Sequence, residues 1–262
     1  MSFLQTFSVN AAKKAPFPFN IPAVQFAKDV NLGNAVTIFA GDNGCGKSTL
    51  LEALAMSVKL PLIGGYIQPN DGFEAAGLLQ PYIELKWNRQ INKGFFFRAE
   101  DFSDFINSVE NERNKIAADL RDLQGVVDDA IIRQMSDSAN YSLRHMRKDY
   151  GENMQAFSHG EAYLKILQTR IAGQGIYLLD EPEAALSPLK QLSLMAFILE
   201  VLKENKSQFI IATHSPILMG IPGACIYEIL ETGLQKTAYK DTDHYRITKT
   251  FLDNPDFYLR HF

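Results

Sequence analysis

The segment Gly41-Asp42-Asn43-Gly44-Cys45-Gly46-Lys47-Ser48-Thr49 restricts the fold of this chain more than any other stretch, because it carries the spacing G-x-x-x-x-G-K-[ST]. Its context matters as much as its wording. Ala35 to Ala40 (AVTIFA) is an apolar, β-branched run that stops at a glycine, which predicts a buried strand. From Ser48 onward, Leu50, Leu51, Leu54, Ala55 and Val58 recur at helical spacing and end before Pro61. Strand, glycine loop and helix in that order form a phosphate cradle. The glycines let successive backbone N–H groups converge on phosphate oxygens, the helix start adds its positive end, Lys47 reaches the terminal phosphates and Ser48 ligates magnesium. Cys45 is expected to be a small filler within the loop.

Beyond the helix, residues 61 to 80 hold Gly64-Gly65 and Pro69-Asn70-Asp71-Gly72, which is turn chemistry and predicts an irregular connection. Tyr82–Trp87 and Gly94–Arg98 (GFFFR) read as two short strands with residues 88–93 as the turn between them. From Asp101 to about Gln134 the chain lacks proline and repeats apolar residues at helical spacing, so a helical lobe is expected over about 101–156. Its last part carries Arg144, His145, Arg147 and Lys148, read as a solvated, mobile basic edge. Then follow a helix at Glu161–Ala172, a strand at Gly175–Leu179, a helix at Leu189–Asn205 and a strand at Gln208–Ala212. Strands at Ala224–Leu230 and Leu234–Tyr239 and a short helix at His244–Leu252 complete the pattern. Alternating strands and helices predict an α/β chain with a largely parallel sheet flanked by helices, a single domain over 1–262 carrying the helical lobe.

Two further segments carry chemistry. The apolar strand Ile176–Leu179 ends in Asp180-Glu181, where Asp180 can hold magnesium and Glu181 can orient or deprotonate an attacking water. His214 follows the strand that ends at Ala212, and strand C-termini of a parallel sheet face the ligand crevice, so the imidazole is placed to contact a γ-phosphate or that water. A formal net charge of −4 excludes a global basic field for polyanions, though a local patch for nucleic acid remains open. Two cysteines, Cys45 and Cys225, fit a reducing compartment and no metal spacing. With no apolar stretch of spanning length and no leader-like start, a cytoplasmic protein without membrane insertion is expected.

The order of these motifs resembles the ATP-binding-cassette ATPases. Between the phosphate loop, with its extra Gly44, and the Asp-Glu strand lies Phe157-Ser158-His159-Gly160-Glu161; after the strand come Pro182-Glu183-Ala184-Ala185-Leu186-Ser187 and then His214. The wording SHGE, DEPEAALSP and ATHSP, with a tail from Asp243-His244-Tyr245-Arg246 to Asn254-Pro255, is similar to small stand-alone bacterial AAA-family ATPases. It is similar also to the ATPase heads of chromosome-maintenance, DNA-repair and antiviral phage-defence proteins. The resemblance implies an ATPase that works as an ATP-gated head-to-tail homodimer, in which Ser158, His159, Gly160 and Glu161 close over ATP held by the partner subunit. His159 and Glu161 stand where the family has glycine and glutamine, and Ser187 where it often has aspartate. Ser158 and Glu161 also read as a capping box at a helix start. For the magnesium-binding position at the end of a strand, Glu100 is the choice, with Arg98 as a phosphate or partner contact and Gln80 as the alternative. Phe17, Phe19 and Phe26 are the candidates for stacking on adenine. The implied output is a nucleic-acid-processing or defence partner; the alternatives are the nucleotide-binding subunit of a membrane transporter, or a nucleotide-sensing scaffold of a toxin–antitoxin pair.

Overall fold

The computed structural model describes residues 2–10, 16–63, 72–102, 105–107, 111, 114–116, 118, 159–171, 173–204 and 206–260. Two compact units divide the chain: Met1–Ala99 with Ile171–Phe262, and Glu100–Arg170.

The first unit begins with β1 (Leu4–Val9), α1 (Pro22–Gln25), β2 (Val30–Asn31), β3 (Val36–Gly41), α2 (Lys47–Val58), α3 (Glu74–Leu79), β4 (Ile83–Trp87) and β5 (Gly94–Arg98). After the second unit's α4 (His159–Arg170), the first resumes with β6 (Ile176–Asp180), α5 (Pro188–Glu204), β7 (Gln208–Ala212), α6 (Pro216–Met219), β8 (Cys225–Leu230), β9 (Gly233–Thr237), α7 (Asp243–Asp253) and α8 (Asp256–Leu259).

Every residue of β3, β6 and β7 is buried, so these strands are covered on both faces, which is the environment of a parallel sheet and explains their continuous apolar wording. The sheet runs β5-β6-β7-β3-β8-β9, parallel throughout except for β9 antiparallel to β8 at the edge. Register aligns its carboxyl ends. Asp180 sits beside Arg98 and Ala212, Phe39 beside Ala212, and Gly41 beside Ile229. The phosphate loop, the Asp-Glu pair and the segment leading to His214 therefore leave the sheet along one edge. Helix α2 buries Leu50, Leu51 and Leu54 completely in the core. Each such leucine contributes roughly 1.5–3 kcal/mol by leaving water, so the helix that carries Lys47 and Ser48 is firmly seated.

A second sheet, β2-β1-β4, is antiparallel. Tyr82–Trp87 and Gly94–Arg98 are strands as expected but do not form a hairpin: β4 pairs with β1, and β5 pairs parallel with β6. Gln208 joins the two sheets. Its side-chain carbonyl accepts from the backbone N–H groups of Phe3 and Leu4 at 3.0 and 2.9 Å, and its amide donates to Leu4 and Leu32 carbonyls at 2.9 and 2.5 Å. The stretch expected to be irregular contains α3, whose Ala76 and Leu79 are buried; residues 64–71 lie outside the described part.

In the second unit, α4 begins at His159, two residues before the expected helix, and the described residues at 105–107, 111, 114–116 and 118 are helical. Phe102 and Tyr163 pack with ring centroids 5.0 Å apart. The basic cluster Arg144 to Lys148 lies outside the described residues.

Candidate functional site: a phosphate loop facing an Asp-Glu strand end

The loop from Gly41 to Gly46 turns through left-handed backbone. Gly46 has φ +94, and a Cβ there would lie 2.6 Å from Ile21 Cδ1 and 3.3 Å from Ala23 Cβ, so both conformation and space demand glycine. Gly44, at φ +79, meets nothing within 4 Å; its requirement is conformational alone. The Ala23 N–H donates to the Cys45 carbonyl at 3.0 Å, tying the loop to α1. The Lys47 ammonium is buried and donates to the carbonyls of Gly41 at 2.9 Å and Asp42 at 3.0 Å, with Cys45 Sγ at 3.8 Å. A buried cation hydrogen-bonded to neutral backbone carbonyls is poised to exchange them for an anion. Asp42, Asn43 and Gly44 form the exposed tip, while Ser48 and Thr49 are half-buried at the start of α2.

Opposite the loop, Asp180 ends β6 buried, and its Oδ1 has no hydrogen-bond partner. Burial pushes its carboxyl up to about 7, against the Ser48 hydrogen bond; the neighbouring Glu181 and Glu52 add to the rise and Lys47 opposes it. Glu181 takes φ +48, a left-handed conformation costly for a residue with a side chain, and its N–H donates to Ala212 O at 2.9 Å. That turn brings Glu181 into a cavity of about 250 Å³ shared with Phe17, Lys47, Ser48 and Thr49. Glu181 Oε1 lies 3.4 Å from His214 Nε2. Burial and the Lys47 charge hold the His214 imidazole below its usual pKa, while Glu181 opposes them.

Three residues support this edge to which the sequence alone assigned no role. Glu183 Oε1 accepts from Thr213 Oγ1 at 2.6 Å, from the His214 N–H at 2.6 Å and from the Ser215 N–H at 3.1 Å, which holds the histidine-bearing loop against the Asp-Glu turn. Gln191 joins in: its Oε1 accepts from Ser215 Oγ at 2.5 Å while its Nε2 donates to Leu186 O at 3.0 Å. His244 of α7 approaches His214, Nε2 to Nδ1, at 3.2 Å.

Other expected positions fall differently. Arg98, expected as a phosphate or partner contact, is instead engaged within the chain: it is buried, its Nη1 lies 3.1 Å from Glu52 Oε1 on α2, and its guanidinium sits 4.1 Å over the Phe73 ring. Gln80 opens an exposed 3-10 turn before β4. Glu100 is exposed on a 3-10 turn of the second unit. Ser158 lies outside the described residues; His159 and Gly160 start α4, and Glu161 is exposed on its first turn. Of the three phenylalanines, Phe17 is 63% exposed beside the phosphate loop, whereas Phe19 packs edge-on against Tyr82 at 5.1 Å and Phe26 lines neither cavity at the loop.

Comparison with known proteins agrees with this geometry. Residues 100–220 match the family model described as "AAA domain, putative AbiEii toxin, Type IV TA system". The phosphate import ATP-binding protein PstB 1 of Vibrio parahaemolyticus is 29% identical over 188 residues, covering 69% of this chain and 64% of the relative. The probable ATP-dependent transporter ycf16 of Cyanidium caldarium is 26% identical over 186 residues, covering 69% and 70%. This chain thus spans about 64% of the length of the Vibrio PstB relatives. Among solved structures, cbiO1 from Clostridium perfringens, part of the ABC transporter complex cbiONQ, aligns over 99% of both chains with a TM-score of 0.46 and 17% identity. The Smc head domain from Pyrococcus furiosus aligns over 97% and 99% with a TM-score of 0.44 and 13% identity. With its phosphate loop, Asp-Glu strand end and following histidine gathered on one sheet edge, the chain is similar to ATP-binding proteins of the ABC and AAA types.

Proposed function

We propose that the protein binds ATP in the cavity between the phosphate loop and Glu181, hydrolyses it, and does so as one half of a composite site that a second copy completes. The observation that carries this reading is the cavity itself: Lys47, Ser48 and Thr49 line it from one side and Glu181 from the other. Lys47 leaves the Gly41 and Asp42 carbonyls to meet the terminal phosphates, and the loop N–H groups neutralise the rest. Glu181, held in its left-handed turn, orients the attacking water and takes its proton. His214, fixed through its backbone by Glu183, lies against Glu181 and faces the γ-phosphate. Phe17 supplies the exposed ring that stacks on adenine.

Magnesium fits the residues present. Among the described residues no group of three His, Cys, Asp or Glu forms a metal cage; Mg²⁺ ordinarily takes one or two protein oxygens and completes its shell with phosphates and water. Asp180, whose buried Oδ1 has no hydrogen-bond partner among the described residues, and the adjacent Ser48 hydroxyl would supply those oxygens. When bound, the ion neutralises charge on the transferring phosphoryl group.

In the dimer, the segment Ser158 to Glu161 of one copy closes over ATP held by the other, so ATP favours association and hydrolysis releases it. The output is a nucleic-acid-processing or defence partner, or a toxin–antitoxin pair in which the protein is the nucleotide-sensing scaffold, the last supported by the family model, whose description names a Type IV TA system. A transporter subunit is the second reading, supported by the phosphate-import relatives. No helix among the described residues is long and apolar enough to cross a membrane. The test is Glu181→Gln. It is expected to bind ATP, to lose at least ~100-fold in turnover, and to run as a dimer with ATP but not ADP. Full turnover in this variant overturns the assignment of Glu181. Proteins or nucleic acid retained on the ATP-trapped form separate the two outputs, with a membrane subunit marking transport.

A further inference from the structure

Near the phosphate cavity, but contributed by α7 rather than by any motif strand, stands a second imidazole. His244 Nε2 lies 3.2 Å from His214 Nδ1, and His214 Nε2 in turn lies 3.4 Å from Glu181 Oε1, so three side chains form a line that ends at the proposed water-orienting carboxylate. The two ring planes are inclined by 51° with centroids 5.4 Å apart, an edge-to-edge approach through nitrogens rather than a stack.

The proton arrangement follows from valence. One hydrogen bond between two imidazole nitrogens needs one proton. If His214 Nδ1 carried it, a neutral His214 would present a bare lone pair at Nε2 to the Glu181 carboxylate, two acceptors facing each other. If His244 Nε2 carries it, His214 Nδ1 accepts and His214 Nε2 holds the N–H, which faces Glu181 Oε1 at 3.4 Å as an attractive dipole–charge approach without a formed hydrogen bond. Only the second arrangement is attractive along the whole line. Double protonation of His214 is opposed by its burial, by Lys47 and by His244, with Glu181 and Asp42 favouring it. His244 is itself fixed in place: the Asp243 N–H donates to the buried Glu228 Oε1 at 2.8 Å, and Thr242 Oγ1 accepts from the Tyr245 N–H at 3.4 Å, anchoring the first turn of α7.

We propose that His244 is a positioning residue that holds His214 as its Nε2–H tautomer, with the N–H directed at Glu181 and the phosphate cavity. The inference rests on the ATPase reading above for its consequence, but its physical content, the tautomer, stands apart from turnover. Without His244, His214 redistributes toward the Nδ1–H form and loses the donor that the reacting phosphate and Glu181 require.

Long-range proton–nitrogen NMR of histidine-labelled protein reads the tautomer directly. The unaltered protein is expected to show His214, assigned by its loss in His214→Ala, as the Nε2–H form, and His244→Phe to show a mixture. His244→Gln keeps an amide donor at the same place and is expected to restore the Nε2–H form. In steady-state kinetics, His244→Phe is expected to lower kcat about tenfold with KM for ATP essentially unchanged, His244→Gln to recover part of that loss, and His214→Ala with His244→Phe to lose no more than His214→Ala alone. An unchanged tautomer in His244→Phe overturns the proposal, as does a loss confined to KM or the absence of rescue by glutamine in a variant with unaltered melting temperature. If the unaltered protein fails to hydrolyse ATP at all, the function reading fails while the tautomer measurement still decides the role of His244.

Discussion

Two buried polar side chains in the same parallel sheet show opposite states. Gln208, at the amino end of β7, uses both acceptor lone pairs and both amide protons on the backbone of Phe3, Leu4 and Leu32. Asp180, at the carboxyl end of the neighbouring β6, leaves one buried oxygen without any partner and has its carboxyl pushed up to about 7. The first is a finished joint between two sheets. The second is an incomplete one, and an incomplete buried polar group is tolerated where a ligand will complete it. Between these two side chains, satisfaction more than burial separates the joint from the candidate ligand site, although buried Thr37 Oγ1 on β3 shows that a missing partner alone does not mark one.

The comparison is broken most directly at Asp180. Asp180→Asn is expected to cut magnesium-dependent turnover by roughly 1000-fold while the folded protein survives, as measured by phosphate release and circular dichroism; if turnover persists, the incomplete group is not a ligand site. Next in size is the buried ion pair. Arg98→Ala removes the guanidinium beside buried Glu52 and is expected to destabilise by about 3–4 kcal/mol, whereas Arg98→Met with Glu52→Leu recovers most of that in denaturant titrations; failure of the double variant to recover would assign Arg98 a role beyond packing. Gln208→Ala leaves backbone groups of β1 unpaired and is expected to cost roughly 2–3 kcal/mol with kcat little changed, the mirror image of Asp180→Asn.

The smallest effect is a pH dependence. Without metal, a carboxyl whose pKa rises on folding from 3.8 to about 7 favours the native state when protonated. Below the unfolded value both states hold the proton and no penalty exists. As pH rises through this window the unfolded chain ionises first, so stability falls, and above about 7 the penalty is complete. With chelator present, Asp180→Asn is expected to flatten part of this decline, by roughly 2 kcal/mol near pH 8, and magnesium is expected to offset it in the unaltered protein. An identical pH profile in both proteins would place the titration elsewhere, with Glu183, also pushed up by burial, as the next group to vary.

The finished and unfinished ends differed in how visible they were from the chain alone. Gly41 to Thr49, Asp180-Glu181 and His214 are short contiguous wordings attached to strands whose apolar runs announce burial on both faces, so their meeting on one edge follows from parallel topology. What escaped notice depends on distant pairing. Strands β4 and β5 are consecutive and short, which favours a hairpin, yet partners as far away as β1 and β6 took them. Glu52 sits among leucines on α2 as an ordinary helix charge until Arg98 closes on it across the core. Gln208 reads as a strand's first polar residue, and nothing within thirty residues of His214 advertises His244. Glu183 was visible as part of a motif, but its three hydrogen bonds to the loop of residues 213–215 exist only after β6 and β7 are side by side.

The thiol in the phosphate loop has a practical consequence. Of the two cysteines, Cys225 is buried and Cys45 is half-exposed, so an alkylating reagent meets a single accessible sulfur, 3.8 Å from the Lys47 ammonium. Burial holds that thiol above its usual pKa, which makes labelling slow enough to time by mass spectrometry. A nucleotide seated over the loop shields it. The rate of modification at Cys45 is thus a built-in gauge of occupancy, usable in crude extracts where turnover by other enzymes would hide the protein's own.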